Sequence, residues 1–447
     1  MDGGMNDFPQ VGSGGDARRN LSILMSAYAC EPHLGSEPGV GWHWATRLAS
    51  MGHQVRVLTR ANNREVIESA LAARPVPRLS FAYYDLPAWM RRWKNQAGLL
   101  ARLYYLAWQW GAYGIARRLC RETRFDIVHH ITFGVFRHPS FMAFLGLPFV
   151  FGPVGGGETA PRPLRKTFPL RGYLIDIARD LANWVVRVDP LMAAVFRRSA
   201  ATLCKTAETL RCVPERFHDR CHVQVELGVD EQWPTLARGR SRVNGRMRVL
   251  YVGRLVYWKG LHLGLRAFAR LHAVYPEARL TIVGRGPEAA WFHGLADGLG
   301  IGAAVTWIPH MERAGVMQAY LRHDAFLFPS LHDSSGNVVL EALSCGLPVV
   351  CLDAGGPAVL VDPSCGFKVR PGEPSQVVED LARAMFALAT QPGLAEAMGE
   401  AALRHAHEHY SWTRQVLRME QLYRAICDGT RGPPGRAARA ADRVSPP

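Results

Sequence analysis

The chain has 447 residues, of which 48% are hydrophobic and 20% are charged, and its formal net charge is +15. This length exceeds the roughly 250–300 residues at which a single hydrophobic core stops growing, so two domains are expected. The composition is ordinary for a globular protein. The positive charge favours an anionic partner, but the basic residues follow no helix-turn-helix, zinc-finger or RNP pattern, so no nucleic acid is expected.

The nine cysteines are scattered, and none forms a C-x-x-C pair. The densest group, Cys204, Cys212 and Cys221, has spacings that match no zinc site. Single thiols are typical of a reducing compartment, so a cytoplasmic location is expected. Residues 1–19 lack the apolar segment of a signal peptide, and they and residues 428–447 have compositions that predict a disordered leader and tail.

Short apolar runs alternate with longer periodic segments along the first half of the chain, which predicts a parallel sheet covered by helices. A helix is predicted over residues 41–51, between the first two strands. The predicted strands of this first domain, residues 20–228, are 21–28, 53–59, 126–131, 148–154, 200–204 and 222–227.

A polar, aperiodic stretch over residues 229–246 predicts a linker. A second alternation follows within residues 247–409, with strands predicted at 248–252, 279–283, 304–308, 325–328 and 348–352. The expected fold class is therefore α/β, with two Rossmann-like domains that face each other across a cleft. Such folds bind ligands at the carboxyl ends of their strands.

The most informative motif follows the predicted strand 325–328. Asp333 lies in a loop, and Glu341 lies eight residues later among the apolar residues of a short helix. A carboxylate in such surroundings needs a partner, and a sugar hydroxyl or a ribose diol would serve. The start of the helix leaves the backbone N–H groups of Ser335, Gly336 and Asn337 available for a phosphate.

A second motif follows the predicted strand 248–252. Arg254 and Lys259 flank a tight loop after Gly253, so both can reach one anion. A diphosphate needs its charge neutralised by a metal or by cations, and the chain contains no D-x-D metal motif, so no metal is expected. Two surface cations in a basic protein are the alternative.

Glycine clusters follow three further strands. Gly284 and Gly286 form a two-glycine turn, and a full G-x-G-x-x-G after the first strand is absent, which disfavours a dinucleotide oxidoreductase. The loop 35–41 has Gly35 and Gly39 where a backbone would approach a ligand closely, and a flexible connection is the alternative. The remaining candidates on the first domain are Gly155, Gly156 and Glu158 after one strand, and His129 and His130 at the end of another.

Together these residues resemble the group 1 (family 4) retaining glycosyltransferases of the GT-B fold, over about residues 21–427. The resemblance implies that Arg254 and Lys259 bind the diphosphate of a sugar nucleotide, that Glu341 binds its ribose and that Asp333 contacts the donor sugar. It also implies that the loop 35–41 lies beside the phosphates and that a helix over 410–427 crosses back to the first domain. No cofactor other than the sugar-nucleotide substrate is implied.

Two departures from the family pattern stand out. Asp333 replaces the usual Glu, and Gly-Pro-Val-Gly-Gly-Gly-Glu at 152–158 replaces a segment that carries a His in many members. His129 or His130, or else the glycine cluster with Glu158, would take the place of that histidine; His130 is the catalytic candidate. This segment and His-Ile-Thr-Phe-Gly-Val-Phe-Arg-His-Pro before it resemble a bacterial exopolysaccharide branch, which implies a glycan or lipid-linked acceptor. A sugar-nucleotide epimerase and a non-catalytic sugar-nucleotide-binding subunit are the alternatives.

The stretch 89–124 predicts docking on an anionic membrane at its cytoplasmic face. The cations and aromatic side chains alternate with helical spacing over much of it, although a solvated face over a buried core is the alternative. A membrane span is disfavoured because Arg102 and Gln109 interrupt the apolar run. The residues concerned are Arg91, Arg92, Lys94, Arg102, Arg117, Arg118, Arg121 and Arg124, with Leu99, Leu100, Leu103, Tyr104, Tyr105, Leu106, Trp108, Trp110 and Tyr113 between them.

Overall fold

The structure, a computed structural model, describes residues 19–90, 99–230 and 246–429. The predicted leader and tail and most of the predicted linker lie outside these residues. The contacts divide the chain into two compact units. The first consists of Met1–Gly157, Ala182–Glu226 and Thr413–Pro447, and the second of Glu158–Leu181 and Leu227–Trp412.

Each unit contains one sheet in which all strands are parallel. The first sheet has seven strands in the order β3-β2-β1-β4-β5-β6-β7, and the second has six in the order β10-β9-β8-β11-β12-β13. The strands are β1 Ser22–Ser26, β2 Gln54–Arg60, β3 Leu79–Tyr84, β4 Ile127–His130, β5 Phe149–Val154, β6 Ser199–Cys204, β7 Cys221–Val223, β8 Arg248–Val252, β9 Arg279–Val283, β10 Val305–Ile308, β11 Ala325–Phe328, β12 Val349–Leu352 and β13 Gly366–Val369.

Helices connect these strands. The α-helices with described bounds are α1 Ser36–Ser50, α2 Arg64–Ala73, α3 Leu99–Glu122, α4 Arg162–Arg165, α5 Leu170–Val185, α6 Pro190–Arg198, α7 Ala207–Cys212, α8 Leu261–Val274, α9 Ala289–Gly298, α10 Arg313–Arg322, α11 Asn337–Ser344, α12 Gly355–Leu360, α13 Pro374–Thr390, α14 Pro392–Tyr410 and α15 Trp412–Cys427. Each sheet therefore has the Rossmann-like βαβ organisation expected from the sequence.

The segment Glu158–Leu181 was predicted to belong to the first domain, 20–228. In the structure it packs with the second unit instead. Thr167 Oγ1 lies 2.7 Å from His262 Nε2, and Gly172 faces the ring of Tyr257 so closely that a Cβ there would lie 2.7 Å from Cε2. These contacts give the segment its own partners in the second unit. Helix α15, by contrast, belongs to the first unit from Thr413 onward.

Most of the aromatic residues that were predicted to face a membrane lie in the core of the first unit. Tyr104, Tyr105 and Trp108 of α3 are buried, and the ring of Tyr28 packs edge-on against Tyr105 at 5.2 Å and Trp108 at 4.9 Å. On this helix Leu103 and Trp110 are exposed large apolar residues. The buried aromatic rings stabilise the fold, so they are removed from the predicted membrane surface.

Arg91, Arg92, Lys94 and Leu99 belong to positions whose side chains are not described. Among the described helices, none combines the length and hydropathy that crossing a bilayer would require.

Several histidines are buried in the neutral form, and His262 of α8 is one of them. Its side chain is fully buried, and burial, reinforced by Arg266, lowers its pKa to about 3. As the pH falls below the ordinary value of 6.5, the unfolded chain binds a proton at this position before the folded chain does. The stability that neutral His262 contributes is therefore complete above pH 6.5 and is lost as the pH falls toward 3.

We expect His262→Gln, which keeps a partner for Thr167, to reduce this pH dependence. The difference in unfolding free energy between wild type and variant should shrink by up to about 1.4 kcal/mol per pH unit on acidification below the ordinary histidine pKa. Urea unfolding at a series of pH values measures it. His293→Gln, at an exposed position, is the matched control and should follow wild type. Parallel curves for wild type and His262→Gln would contradict the prediction.

Candidate functional site

The order of strands in the second sheet reverses between β8 and β11, which are neighbours. The loops that follow these two strands leave the sheet in opposite directions, and such a switch point opens a crevice at the carboxyl ends of the strands. Arg254 and Lys259 follow β8, and Asp333 follows β11. The two motifs that sequence reasoning singled out thus meet at one place.

Lys259 and Asp333 form an ion pair at this switch point. Both side chains are mostly buried, with 18% and 15% of their surfaces exposed. The lysine Nζ also lies 5.2 Å from the centre of the Phe328 ring, at the end of β11. The ion pair and the ring therefore hold this cation in place.

Backbone contacts between the two loops fix the position of Lys259. Gly260 has φ of +67°, and a Cβ there would lie 1.9 Å from the carbonyl oxygen of Pro329. The N–H of Leu331 also donates to the carbonyl of Trp258 at 2.9 Å. Only glycine fits position 260, because it needs both a left-handed backbone and no side chain.

Asp333 uses its other carboxylate oxygen to close a local turn. Oδ1 accepts hydrogen bonds from the N–H groups of Ser335 at 3.1 Å and Gly336 at 2.9 Å. These two N–H groups were predicted to bind a phosphate, and in the structure both donate to Asp333 instead. A short side chain is needed to reach its own backbone two and three residues ahead, which gives a physical reason for Asp rather than Glu here.

The N–H groups of Asn337 and Val338, at the start of α11, have no hydrogen-bond partner among the described residues. Gly336 precedes them with φ of +71° and provides no side-chain cap. Of the three predicted phosphate-binding N–H groups, Asn337 therefore remains available. Val338 joins it, because helix geometry leaves the first N–H groups unpaired.

The loop after β12 supports Asp333 from the other side. Gly355 has φ of +60°, and a Cβ there would lie 2.3 Å from the carbonyl oxygen of Asp333. The N–H of Gly356 donates to the same oxygen at 2.6 Å. These contacts explain why two glycines follow β12, and they fix the backbone from which the Asp333 side chain extends.

Burial raises the pKa of Asp333, but the lowering by Lys259 and the two backbone N–H groups is larger, so the net pKa lies below its ordinary value. For Glu341 the balance is the opposite. Burial raises its pKa, and the opposing effects of Arg313 and the Tyr320 hydroxyl are smaller, so the net pKa is raised. The two acids thus lie in different electrostatic environments although they are eight residues apart.

Glu341 does have the partner that its apolar surroundings require. The hydroxyl of Tyr320, a buried residue of α10, donates to Oε2 at 3.2 Å. Sequence reasoning missed Tyr320, because no local pattern distinguishes it from a core tyrosine. No other described residue hydrogen-bonds the Glu341 carboxylate, and the residue is partly exposed.

Arg254 is exposed just after β8 and lies beside Glu288. Burial raises the pKa of Glu288, and the charges of Arg171 and Arg254 oppose this effect. The glycines near it pack backbone against backbone. A Cβ on Gly284 would lie 1.9 Å from the oxygen of Gly253, and one on Gly286 would lie 2.0 Å from that of Leu255. These glycines are therefore required for contact between the loops after β8 and β9, whether or not a ligand binds there.

A buried polar cluster next to this site was not predicted. Asp176 of α5 is fully buried, 3.6 Å from Arg165 Nε and 3.8 Å from His332 Nε2. His332 directly precedes Asp333, and its ring stacks on Trp258 at 5.7 Å. Burial, together with Arg179 and Lys259, lowers the pKa of His332 to about 3, so the ring is neutral. The segment 158–181 therefore contributes to the walls around Lys259.

The first sheet has its own switch point between β1 and β4. The prediction of a glycine-rich loop over 35–41 is corrected there, because α1 begins at Ser36, and Gly39 lies inside the helix. A Cβ on Gly39 would lie 2.2 Å from the oxygen of Leu34. Gly35 is the N-cap of α1, and the Glu37 carboxylate accepts the N–H of Phe133 in the loop after β4.

Both candidate histidines lie inside the first unit. His129 Nδ1 is 2.5 Å from the Tyr423 hydroxyl, and its Nε2 is 2.6 Å from the oxygen of Gly152. His130 is 2% exposed, with Nε2 3.5 Å from the Tyr105 hydroxyl. Burial lowers the pKa of His129 to about 4 and that of His130 to about 3. This arrangement favours structural roles, because a parallel sheet covered on both faces buries adjacent residues alike.

The glycine cluster after β5 is held by its neighbours. Gly155 exchanges backbone hydrogen bonds with Gly134 and Phe136, and Gly156 accepts from Arg137. A Cβ on Gly157 would lie 2.5 Å from Cα of Thr209. Glu158 is buried and belongs to the second unit. Close packing explains these glycines, and the acceptor-side role predicted for Gly155, Gly156 and Glu158 stays a prediction.

Part of the second unit matches a known protein family. Residues 237–405 match the family model "Glycosyl transferases group 1". The glycogen synthase of Mycobacterium tuberculosis (strain ATCC 25618 / H37Rv) is 31% identical over 214 residues, which are 47% of this chain and 50% of that protein. The D-inositol 3-phosphate glycosyltransferase of Rhodococcus jostii (strain RHA1) is 34% identical over 219 residues, 46% of this chain and 43% of that protein. The chain spans about half the length of the curated relatives it matches.

Among solved structures, the sucrose-phosphate synthase from Thermosynechococcus elongatus superposes with a TM-score of 0.63 at 18% identity, covering 92% of this chain and all of that one. This likeness concerns the fold. The chain has the α/β fold with two parallel-sheet, Rossmann-like domains that is found in GT-B glycosyltransferases.

Two substitutions separate the two tasks of Asp333. Asp333→Asn keeps an acceptor for the N–H groups of Ser335 and Gly336 but loses the ion pair, and should lower the unfolding free energy by about 1–3 kcal/mol. Asp333→Glu keeps the charge but is too long for the turn. Hydrogen exchange at Ser335 and Gly336 should therefore accelerate in Asp333→Glu and stay slow in Asp333→Asn. Equal exchange in both variants would contradict the assignment of the turn.

Proposed function

We propose that this chain is a retaining glycosyltransferase that transfers a sugar from a nucleotide diphosphate donor, with the donor bound at the switch point of the second sheet. The observation that carries the proposal is the convergence of Lys259, Asp333 and the start of α11 at the carboxyl ends of β8 and β11. The match of residues 237–405 to group 1 glycosyl transferases supports it.

The leaving diphosphate would meet three kinds of positive group. Arg254 is exposed beside the crevice, and Lys259 has ammonium protons beyond the one directed at Asp333. Asn337 and Val338 present N–H groups that have no hydrogen-bond partner among the described residues. Preorganised donors of this kind stabilise the charge that develops on a leaving group. Since the sequence contains no D-x-D motif, these groups can neutralise the diphosphate without a metal ion.

Asp333 acts on the donor through Lys259 in this proposal. Its two carboxylate oxygens already hold the ammonium group and the turn before α11, so it fixes the geometry of the groups that meet the phosphates. The contact with the donor sugar that the family resemblance implies would come from the same carboxylate. Glu341, with Oε2 held by Tyr320, would use Oε1 to accept a hydrogen bond from the ribose diol.

Retention of configuration follows from the family resemblance. In the proposed front-face reaction, the bond between the anomeric carbon and the diphosphate oxygen breaks, and the acceptor oxygen forms its bond on the same face. The departing diphosphate takes the proton of the acceptor hydroxyl. Arg254 and Lys259 stabilise the negative charge on the leaving oxygens during this step.

The acceptor is proposed as a glycan or a lipid-linked hydroxyl in cell-surface polysaccharide synthesis, on the cytoplasmic side of the membrane. The resemblance of residues 130–139 and 152–158 to an exopolysaccharide branch supports it. The glycogen synthase and the D-inositol 3-phosphate glycosyltransferase differ in the acceptor that their names imply, so these relatives favour no single acceptor for this chain.

Two alternative functions make different predictions. A sugar-nucleotide epimerase would convert the donor without an acceptor, whereas a transferase releases nucleotide diphosphate in proportion to acceptor. A non-catalytic sugar-nucleotide-binding subunit would bind the donor without turnover. Thermal-shift screening against UDP, GDP, ADP and dTDP sugars would identify the donor for these assays.

We expect Glu341→Ala and the double variant Arg254→Ala, Lys259→Ala to be impaired in donor use. Loss of charge-assisted contacts to the diphosphate should remove on the order of 2–4 kcal/mol of transition-state stabilisation, which corresponds to ~30- to 1000-fold in kcat/KM. Arg322→Ala, an exposed arginine of α10, is the matched control. Activity of the double variant within threefold of wild type would refute the diphosphate assignment.

We also expect transfer to continue in EDTA and the product to keep the anomeric configuration of the donor. The first expectation rests on the absent D-x-D motif and on cationic residues in its place. The ¹H coupling constant of the product's anomeric proton reports the second. An inverted product would overturn the assignment to retaining enzymes, and loss of activity in EDTA that added metal restores would overturn the metal-independent step.

A further inference from the structure

Helix α5 presents a continuous apolar face to solvent. Leu170, Leu174, Ile177 and Leu181 follow one another at intervals of four, three and four residues, which places them on one side of the helix. Their exposed fractions are 75%, 56%, 46% and 61%. We call these four residues the outer face of α5. Large exposed apolar patches mark interaction sites, and the exposed Tyr173 and Ile175 widen this one.

The polar side of α5 is turned inward. Asp176 is fully buried beside Arg165, Asp180 accepts two hydrogen bonds from the guanidinium of Arg165 at 2.5 and 3.1 Å, and Gly172 lies against Tyr257. The helix is thus anchored by buried charges, and its amphipathic pattern is the reverse of that of an ordinary surface helix. Packing among the described residues leaves the outer face uncovered.

The charged residues next to the outer face along the chain are mostly positive, and Glu373 and Glu288 are the acids near two of these cations. Arg171 of α5 is exposed, as are Arg162 and Lys166 just before the helix. Lys166 lies 3.7 Å from Glu373, whereas both acids of α5 are engaged with Arg165. Apolar side chains flanked by cations suit the boundary of an anionic lipid bilayer, where the apolar groups enter the acyl region and the cations meet lipid phosphates.

A second copy of the chain is the rival occupant of this face. A two-fold contact through α5 would bring the same surface of both copies together, so Arg171 and its neighbours would face cations of like charge. An anionic membrane complements both the apolar and the charged parts of the surface. Charge complementarity therefore favours lipid over self-association.

We propose that the outer face of α5 inserts into the interface of an anionic membrane and holds the protein there reversibly. This surface is distinct from the stretch 89–124, in which Tyr104, Tyr105 and Trp108 are core residues. The inner side of α5 packs on Tyr257 and reaches His332 through Asp176. The proposed lipid contact and the proposed donor site therefore lie on opposite sides of the same helix.

Flotation with liposomes tests this, with no need for donor or acceptor. The full chain should float with vesicles of phosphatidylcholine and phosphatidylglycerol, float far less with phosphatidylcholine alone, and be released by high salt. Leu174→Asp with Ile177→Asp should reduce flotation about tenfold or more, since charge on the inserted face opposes insertion. Arg162→Glu with Arg171→Glu should reduce it at low salt only.

Two matched variants control for exposed apolar residues elsewhere. Val274→Asp with Phe386→Asp alters side chains of α8 and α13 that are 66% and 40% exposed and should float as wild type. Leu103→Asp with Trp110→Asp tests the surface of α3. If that variant loses flotation and the α5 variant keeps it, the membrane contact lies on α3 and the proposal is wrong.

Other outcomes would also refute it. Absence of flotation at low salt would do so, as would a dimer in sedimentation equilibrium that the α5 variant dissociates while lipid binding stays unchanged. A thermal melt of each variant checks folding, and Leu174→Ser with Ile177→Ser replaces the aspartate variant if the latter unfolds. Lipid binding is measured apart from sugar transfer, so its failure leaves the transferase proposal standing, and the reverse also holds.

Discussion

The backbone contact between Gly260 and Pro329 joins the two loops on which the candidate site is built. With only 1.9 Å between a Cβ at position 260 and the Pro329 oxygen, any side chain there would push the loop after β8 away from the loop after β11. The same glycine is the N-cap of α8 and directly follows Lys259. Both the lysine's distance from Asp333 and the start of α8 therefore depend on this contact, and Gly355 applies the same constraint to Asp333 from the loop after β12.

The two acids of the candidate site, Asp333 and Glu341, have different surroundings, which shift their pKa values in opposite directions. Asp333 is held in the charged form by Lys259 and by two N–H groups, whereas burial raises the pKa of Glu341 and a tyrosine hydroxyl is its one described hydrogen-bond partner. A charge that is already balanced orders the loop before any ligand arrives. A carboxylate with one hydrogen-bond partner can still accept hydrogen bonds from a ligand. In the proposed function, ordering of the loop therefore belongs to Asp333, and recognition of the ribose belongs to Glu341.

Short apolar runs bounded by charged or turn residues made β8, β9 and β11 predictable to the residue. Strand β3 went unpredicted because it is only partly buried, and β13 because its two central residues, one of them Lys368, are only partly buried. The candidate glycines are ambiguous for a different reason. Gly39, Gly284 and Gly286 are required by close contacts with backbone atoms of other residues, and no local pattern separates such contacts from a ligand site. Likewise, the sequence revealed that Asp333 is short, but not that the short side chain bonds its own backbone.

The path of the chain between the two units has a consequence for synthesis on the ribosome. Residues 158–181 belong to the second unit, yet the ribosome makes them before the first unit's residues 182–226 and the rest of the second unit, which begins at Leu227. The first unit, in turn, stays incomplete until Thr413 and the residues of α15 emerge. Neither unit can therefore finish folding before the other is nearly complete, although domains usually fold one after the other as they leave the ribosome. Until residue 332 is made, Asp176 lacks the His332 ring that lies beside it in the folded chain. Nascent chains stalled before residue 412 should depend on chaperones more than the modular look of two Rossmann-like units suggests.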